Sequence, residues 1–328
     1  KKVILIIGGN LESLHGLKIA KAKNYITVVV DGNFNAPAKK FADYFINTSI
    51  YDSEETIKKV SILNKKIKID AVMSLSTDVP LTVSKVAKKL NLNSIPIKAA
   101  KIFSNKYLMK KELSKIRVAI PKFFLIKTSR DLKNKMKLIN KGVIKPVDSR
   151  GARGVHIISK NNKNLDELFK SSKSFSNKKK LILEEYLKGQ QLSTESIISN
   201  YSVKTVGISD RNYEFLKRFE PNIIENGSDL PSKRSKQFYS QINKIIYKVC
   251  KKFKIKNGTI KGDLVIHKNK IYSIEFAPRL SGGYFSSIMI PKSSGINLVE
   301  LAIKIHLGEI IDLKSIKDKH TKFVSQRF

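Results

Sequence analysis

Two acidic residues near the carboxyl-terminal end of the chain have a spacing that could support chemistry. They flank residues 264–274, where two β-branched apolar runs surround a polar turn and predict a β-hairpin. Asp263 and Glu275 are equidistant from Asn269, so a three-residue loop, Lys268 to Lys270, would place both carboxylates opposite each other on one face. Two unpaired carboxylates would repel there. The pair therefore predicts a shared proton, a buried cation or a metal, and hard oxygen ligands suit Mg²⁺ that bridges to phosphates.

Arg279 lies four residues beyond Glu275 and adds a cation to the same end of the hairpin. Its planar guanidinium can hold phosphate oxygens or a carboxylate through two parallel hydrogen bonds. The alternative is an edge hairpin whose charges are solvated. This stretch alone leaves both interpretations open.

A lysine and a glycine-containing loop follow one another in the middle of the chain. Lys145 lies in an apolar strand predicted at 142–147, where a lysine either extends its ammonium to solvent or pairs with an anion, and we favour an anion. Residues 148–154 include two glycines, which let backbone amides approach a phosphate, and two arginines, which add charge. The alternative for this loop is a mobile surface turn.

Two further segments could contribute to the same site. Lys106 lies near the start of a helix predicted at 104–113. Residues 181–189 predict a strand that emerges into a turn, and the alternation at 192–198 predicts the returning strand. The connector carries carboxylates, apolar side chains and backbone groups that can enclose a purine and its ribose. An ordinary hairpin is the alternative explanation.

The first 97 residues alternate predicted strands and helices at the length of βαβ units. The strands are predicted at 3–9, 25–30, 44–47 and 71–75, and the helices at 14–23, 54–64 and 79–90, with a further helix opening at 35–38. This pattern predicts an α/β fold that begins with a doubly wound parallel sheet. Turns at the carboxyl ends of its strands contain Asn10, Ser76 and Asp78, and open α/β sheets bind ligands at this edge. No GxGxxG motif is present, so a dinucleotide-binding interpretation is weak.

The net charge of +37 comes from 64 Lys and Arg residues against 27 Asp and Glu residues. A clustered excess of this kind predicts binding to nucleic acid or to an anionic membrane. Here the lysines are spread along every predicted helix, and no basic block is interleaved with aromatic residues. We therefore predict no specific nucleic-acid partner, although the charge would attract small anions.

The chain of 328 residues is long enough for two or three domains, and 41% hydrophobic residues predict a folded globular protein. No apolar run is long enough to span a membrane and the start does not resemble a signal peptide, so we expect no membrane partner and a cytoplasmic location. Cys250 is the only cysteine and is expected to be a core residue on an apolar helix face. Residues 308–328 look like the start of a further segment, which leaves open whether the natural chain continues.

The motifs described above resemble, in their order along the chain, those of the ATP-grasp superfamily, in the branch of biotin carboxylase, carbamoyl phosphate synthetase and the carboxylate–amine ligases. They are an α/β domain, a lysine-bearing helix, a Lys-Pro strand with a small loop, a Glu-Glu-Tyr-Leu hinge, and an acidic hairpin that ends in Glu-x-x-Pro-Arg. The resemblance covers nearly the whole chain. It implies a pre-ATP-grasp α/β domain over 1–97, a linker helix with a small lid subdomain over 98–183, and a large subdomain with the metal site over 184–328.

In this family the nucleotide lies between two α+β subdomains, and two Mg²⁺ ions, for which Mn²⁺ can substitute, bridge its phosphates to acidic side chains. By position, the resemblance implies phosphate contacts from Lys106, Lys145, Ser149, Gly151, Arg153 and Gly154. It implies contacts to adenine and ribose from Glu184, Glu185, Tyr186, Leu187 and Gln191, metal ligands at Asp263 and Glu275, and catalytic roles for Arg279 and Lys145. Candidate substrate contacts are Asn10, Ser76, Asp78, Arg211, Glu225, Ser281 and Gly282.

Two positions depart from the family pattern. Ala277 stands where the family commonly has a metal-binding Asn, and Gln191 stands where a ribose-binding Glu is common. An amide can still bond a hydroxyl, so Gln191 is compatible with a ribose contact.

The function implied by the resemblance is the ATP-dependent joining of a carboxylic acid to an amine through an acyl phosphate, with release of ADP and phosphate. The partners would be these small molecules, and since dimers are common in the family a homodimer is one expectation. Two alternatives stay open. A bicarbonate-using carboxylase or carbamoyl-phosphate-type enzyme would share every nucleotide motif, and a degenerate protein, which Ala277 favours, would bind nucleotide without turnover.

Overall fold

The computed structural model describes residues 1–328 and contains three β-sheets with helices packed on them. The strands are β1 (Val3–Ile7), β2 (Ile26–Asp31), β3 (Tyr44–Asn47), β4 (Ala71–Met73), β5 (Phe123–Ile126), β6 (Lys141–Pro146), β7 (His156–Ser159), β8 (Leu181–Glu185), β9 (Gln190–Ser199), β10 (Ser202–Asn212), β11 (Gly227–Leu230), β12 (Gly258–His267), β13 (Lys270–Ala277) and β14 (Val324–Arg327). The helices are α1 (Ser13–Ala22), α2 (Ser53–Asn64), α3 (Pro80–Leu90), α4 (Ile97–Phe103), α5 (Lys106–Lys115), α6 (Ser129–Met136), α7 (Leu165–Ser174), α8 (Leu216–Phe219), α9 (Ser235–Lys252), α10 (Ile290–Ser294) and α11 (Leu298–His306).

The amino-terminal sheet is parallel, with strand order β3-β2-β1-β4. Every residue of β1 is buried, because helices cover both faces of the sheet, and this explains the continuous apolar run in the sequence. The predicted doubly wound α/β fold is therefore confirmed. The helix predicted to open at 35–38 is wrong in type, since Pro37–Phe41 forms only a short 3₁₀ helix before the chain enters β3.

The second sheet is antiparallel, with order β5-β8-β6-β7. Its strand β6 carries Lys145 and leads into the glycine-containing loop. Helices α6 and α7 pack on it, and their apolar residues form one core with Ile144, Leu181 and Leu183. The sheet ends at Glu185, two residues beyond the predicted subdomain boundary at 183/184, and that boundary stays a prediction.

The third sheet has six antiparallel strands in the order β13-β12-β9-β10-β11-β14. The amphipathic helix α9 covers it and buries Phe238, Ile242, Ile246, Val249 and Cys250, which recur at the spacing of one helix face. The prediction that Cys250 is a core residue on an apolar helix face is confirmed, and burial raises the pKa of its thiol to about 12.

The acidic hairpin of β12 and β13 differs from its prediction at the turn. The loop has two residues, Lys268 and Asn269, both in the left-handed conformation with φ of +47° and +58°, as in a type I′ turn. A two-residue loop alone would leave Asp263 out of step with Glu275. An irregularity in the ladder between Asp263 and Leu264 leaves Ile274 as an extra residue, so Asp263 does pair with Glu275 as predicted.

The carboxyl-terminal helices join the amino-terminal sheet to the six-stranded sheet. Residues of α11, including Leu298 and Ile303, share one buried core with Ile4 and Ile6 of β1 and with Ile197 of β9. This continuous core fixes the carboxyl edge of the parallel sheet beside the acidic hairpin.

Candidate functional site

A cleft of about 410 Å³ lies where the three sheets meet. Its walls come from the amino-terminal domain, the β6 strand and loop, the β8–β9 connector and the acidic hairpin. Of the residues predicted from the sequence, the cleft is lined by Ser76, Asp78, Lys106, Lys145, Ser149, Gly151, Arg153, Glu184, Glu185, Tyr186, Leu187, Gln191, Arg211, Glu225, Asp263, Glu275, Arg279, Ser281 and Gly282. Asn10 and Gly154 do not line it.

Lys106 connects the acidic hairpin to the loop after β6. It begins α5, where the side chain of Asn105 caps the helix by accepting the amide N–H of Leu108. Its Nζ lies 3.1 Å from Glu275 Oε1 and donates a hydrogen bond of 2.7 Å to the carbonyl oxygen of Ser149. Lys106 is thus already placed between a carboxylate and the glycine-containing loop.

Glu184 is buried between two lysines. Its Oε1 lies 3.0 Å from Lys145 Nζ and its Oε2 lies 3.4 Å from Lys110 Nζ. Burial would raise the pKa of Glu184, but the two ammonium groups more than offset this and hold it below its ordinary value. Glu184 therefore carries a negative charge that orients Lys145 within the cleft, and its implied contact with adenine stays a prediction.

Lys110 was not predicted from the sequence. It is fully buried and donates a hydrogen bond of 2.8 Å to the carbonyl oxygen of Ser273 on β13, besides its contact with Glu184. Burial, opposed by the charge of Glu184, lowers the pKa of the Lys110 ammonium to about 8. The spacing from Lys106 places both lysines on one face of α5, which was the available signal.

Asp263 carries cations on both of its oxygens. Lys261 Nζ lies 2.6 Å from Oδ2 and Arg211 Nη1 lies 3.5 Å from Oδ1, while the hydroxyl of Ser193 donates to Oδ1 at 3.3 Å. Burial would raise the pKa of Asp263, but the charges of Lys261 and Arg211 outweigh burial and lower it. Asp263 is an anion whose neighbours already balance its charge.

The loop 149–154 has a backbone suited to anions. Gly151, Ala152 and Gly154 all have positive φ, between +58° and +69°, a conformation that groups successive amides into a concavity. At its base Asp148 accepts hydrogen bonds from the Ser176 hydroxyl at 2.8 Å and the Lys178 amide at 2.9 Å. Gly154 does not line the cleft and packs against Phe175 and Pro146. The contact is close, since a Cβ added at this position would lie 2.9 Å from the Phe175 ring.

Asp78 links the amino-terminal domain to the loop after β6 and to the end of the acidic hairpin. Its Oδ2 lies 3.3 Å from Arg150 Nε in the loop, and its Oδ1 lies 3.6 Å from Arg279 Nε at the end of the hairpin. The Arg150 guanidinium also stacks 4.6 Å above the ring of Tyr51. One carboxylate of the amino-terminal domain therefore contacts two arginines that come from different sheets.

The segment after Arg279 is held by two glutamates that the sequence did not reveal. Glu195 is fully buried and accepts hydrogen bonds from the Ser281 amide at 2.8 Å and the Ser286 hydroxyl at 2.7 Å. Glu12, from the amino-terminal domain, accepts the amides of Gly283 at 3.0 Å and Tyr284 at 3.1 Å. Protein carboxylates thus already occupy three amides of the segment in which we expected a substrate nest, and a substrate role for Ser281 and Gly282 stays a prediction.

The remaining candidates form two pairs. Arg211 and Glu225 are joined by an ion pair on the cleft wall. Asn10 donates a hydrogen bond of 2.8 Å to the Ser76 hydroxyl and accepts one from the Ser13 amide. Asn10 therefore holds the side chain of Ser76, which lines the cleft, without lining the cleft itself. A substrate contact by Asn10 stays a prediction.

The β8–β9 connector closes the far side of the cleft. Hydrogen bonds fix its start, since the Glu185 amide donates to the carbonyl oxygen of Lys122 at 2.8 Å and the Tyr186 amide donates to that of Lys141 at 2.9 Å. Near its other end the carbonyl oxygen of Lys188 accepts a hydrogen bond of 2.7 Å from His267 Nδ1. Gln191 follows on β9, opposite Val265. The connector therefore offers a rigid edge for a planar ligand.

The donor set for metal ions is small. No group of three acidic or histidine side chains is gathered anywhere in the chain. Asp263 and Glu275 face one another across the hairpin, and Mg²⁺ commonly binds one or two carboxylates and completes its shell with substrate phosphates and water. The residues present therefore fit a single divalent cation.

Comparison with known protein families identifies a matching ATP-grasp domain over residues 103–283, which is more than half of the chain. The chain belongs to the ATP-grasp family. The matched region begins at the end of α4 and includes Lys106, Lys145, the loop, the connector and the acidic hairpin, and the fold class expected from the sequence is confirmed.

Known relatives of this ATP-grasp chain include a D-alanine–D-alanine ligase of Wolbachia pipientis wMel, 24% identical over 240 residues in an alignment that covers 68% of this chain and 70% of the relative. Among solved structures, the L-amino acid ligase of Bacillus licheniformis superposes with a TM-score of 0.80 at 20% identity, covering 97% of this chain and 77% of that one. Biotin carboxylase of Campylobacter jejuni gives a TM-score of 0.77 at 19% identity, covering 96% and 73%. At these identities the structural likeness establishes the fold alone.

None of the helices combines the length and the apolar character needed to traverse a lipid bilayer.

Proposed function

We propose that this ATP-grasp protein is an ATP-dependent ligase that joins a carboxylic acid to an amine, releasing ADP and phosphate. One observation carries the proposal. Three separate parts of the chain line one cleft, and they contribute Lys106, Lys145 and the hairpin residues Asp263, Glu275 and Arg279. A site with several cations, a rigid edge for a planar ligand and two facing carboxylates, but with no cysteine or histidine among its lining residues, suits phosphoryl transfer by charge neutralisation and alignment.

The lysines and the loop would hold the triphosphate. Lys106 and Lys145 present ammonium groups that Glu275 and Glu184 already orient, so little reorganisation is needed when phosphate arrives. The concave backbone of residues 149–154 would cover the phosphates. Arg279 would face the transferring phosphoryl group or the acyl phosphate that the acid forms.

The base and ribose would lie along the β8–β9 connector. We assign adenine to the backbone of Tyr186 and Leu187 and ribose to Gln191, whose amide can bond a hydroxyl. Glu184 would act on the nucleotide through Lys145.

ATP-grasp enzymes in general use ATP with Mg²⁺. In this chain Glu275 and Asp263 would hold the cation, with Mn²⁺ as a substitute, and when bound it supplies charge neutralisation at the phosphates. Binding and alignment of the phosphates would otherwise depend on the lysines, the loop and Arg279.

Amino acids are the substrates to test first. The D-alanine–D-alanine ligase and the L-amino acid ligase are named for acting on them, and the cleft wall carries the cations Arg211 and Arg279 beside the carboxylates Asp78 and Glu225. Groups of both signs suit a molecule with a carboxylate and an ammonium. We also propose a cytoplasmic location, where ATP is supplied, and a homodimer, which light scattering would test.

The decisive experiment measures ADP release with ATP, Mg²⁺ and a panel of amino acids and small carboxylic acids. We expect turnover only when an acid and an amine are both present. Glu275→Gln should lower it at least about 100-fold, because the substitution removes a charge that orients Lys106 and holds the cation. Glu309→Gln, at an exposed site that does not line the cleft, is the matched control.

Three other outcomes would contradict parts of this proposal. Turnover that is unchanged in Glu275→Gln would remove Glu275 from the site. ATP hydrolysis that depends on bicarbonate alone would indicate a carboxylase-type enzyme. Nucleotide binding in calorimetry without ADP release under any condition would indicate a protein that holds ATP without turnover.

A further inference from the structure

Four side chains form a rectangle on the cleft face of the acidic hairpin. In the β12–β13 ladder Asp263 pairs with Glu275, and two residues away Lys261 pairs with Ala277. Residues two apart on a strand project from the same face, so all four belong to one surface. The rectangle has two carboxylates at one end, and a lysine opposite a methyl group at the other.

The lysine of this rectangle is directed toward its neighbouring carboxylate. Lys261 Nζ lies 2.6 Å from Asp263 Oδ2, its side chain is only 20% exposed, and it lines the cleft. Ala277 is buried and has no donor atom to offer a metal ion. The space beside Asp263 at this end of the rectangle therefore already contains a positive charge.

The two carboxylates differ in what surrounds them. Asp263 has cations on both oxygens, Lys261 on one and Arg211 on the other. The charged partner of Glu275 is Lys106 alone, at 3.1 Å from Oε1, and the Glu275 side chain is 25% exposed. A divalent cation entering with the nucleotide would meet open carboxylate oxygen chiefly at Glu275.

We infer that the ammonium of Lys261 takes the place of one of the two divalent cations implied by the family resemblance, so that this chain binds ATP with one Mg²⁺. A fixed ammonium supplies positive charge near the phosphates, and unlike a metal ion it needs no ligand atoms from the protein. The small side chain of Ala277, on the opposite strand, leaves space for the lysine side chain. The inference rests on the proposed binding of ATP. It requires no turnover.

Counting bound Mn²⁺ tests this inference. Free Mn²⁺ is measured by electron paramagnetic resonance while the protein is titrated in the presence of a saturating, non-hydrolysable ATP analogue, and bound nucleotide is measured in parallel. We expect one Mn²⁺ per bound nucleotide in the wild type. In the double variant Lys261→Gln with Ala277→Asn we expect two, because the ammonium is removed and an amide oxygen is added as a ligand.

The matched control is Lys270→Gln, an exposed lysine at the start of β13 in the same hairpin, for which one Mn²⁺ per nucleotide is expected. Two Mn²⁺ per nucleotide in the wild type would overturn the inference even if the double variant failed to fold. Absence of nucleotide binding would overturn the proposed function as well, so the two failures are distinguishable.

Discussion

Glu195 shows how a single buried acid can set the position of a segment that lines the cleft. Its Oε2 accepts hydrogen bonds from the amide of Ser281, two residues beyond Arg279, and from the hydroxyl of Ser286, while its Oε1 is buried without a partner. Burial raises the pKa of Glu195 above its ordinary value of 4.5, against the opposing hydrogen bonds from Ser281 and Ser286. Folding therefore shifts Glu195 toward its protonated form, relative to the unfolded chain.

This raised pKa predicts a pH-dependent stability. The contribution of Glu195 is fully present below pH 4.5 and is lost as pH rises through the folded-state pKa, because the unfolded chain releases the proton first. Glu195→Gln keeps both hydrogen bonds without a titrating proton. Its free energy of unfolding should exceed that of the wild type by a difference that grows by roughly 1 kcal/mol per pH unit above 4.5 and then becomes constant. Urea titrations at several pH values would measure this, and a difference that stays constant with pH would contradict it.

Among single residues, the sequence predicted those that belong to a local motif. Lys106, Lys145, Asp263, Glu275 and Arg279 were all named, and all line the cleft. Residues that act through distant contacts were missed. Lys110 meets Ser273, 163 positions away, and Glu12 meets Gly283, 271 positions away, and no local pattern marks such partners.

At the scale of elements, the connector between β8 and β9 depends on one glycine. A Cβ on Gly189 would lie 1.9 Å from the carbonyl oxygen of Ile266 on β12, and backbone cannot move as a flexible side chain can. Gly189→Ala should therefore push the connector off the sheet, lower the free energy of unfolding by about 1–3 kcal/mol and weaken ATP binding. Chemical denaturation and calorimetry would measure both effects.

Gly32→Ala is the matched control for this substitution. The nearest atom to its added Cβ lies 3.3 Å away and its backbone angle is ordinary, so a small shift suffices. Equal losses of stability in the two variants would show that the close approach at Gly189 is not what matters.

Elements with strong patterns were predicted well, and the exceptions have physical causes. The strand Tyr44–Asn47 and helices α2 and α3 lie within a residue of their predicted bounds. The hairpin was predicted with the correct acidic pair but the wrong loop, because a symmetric count cannot separate a three-residue turn from a two-residue turn with a bulge. Strand β14 was missed since its pairing with β11 joins residues about a hundred positions apart.

At the scale of the whole molecule, Asp78 ties the amino-terminal domain to the loop over the cleft. Asp78→Asn keeps the shape but removes both charge contacts, with Arg150 and with Arg279. These pairs are partly exposed, so we expect a loss of about 1 kcal/mol or less and hydrogen–deuterium exchange up to about fivefold faster in residues 149–154. Mass spectrometry would measure the exchange.

The control for this exchange experiment is Glu309→Gln, a substitution of an exposed acid outside the cleft. Unchanged exchange in Asp78→Asn, relative to that control, would mean that Gly151 and its neighbours are held by the loop's own backbone. The expected result would make the amino-terminal domain a support of the loop.

The overall architecture followed from the alternation of strands and helices and from the order of the motifs. How the sheets join could not be predicted, because α11 packs against α1 and β4 of the amino-terminal domain, which lies more than 200 residues earlier in the chain. Periodicity reveals that a helix has an apolar face and is silent about which surface covers it.

The extra residue at Ile274 has a consequence for comparing this chain with its relatives. The distance along the chain between Asp263 and Glu275 combines a short turn with one added position in the second arm. A relative that has a longer turn and a regular ladder would have the same number of residues between its two acids. Homologous positions in the two hairpins would then be out of step by one between turn and bulge, so alignments here should insert a gap at the turn and another at 274.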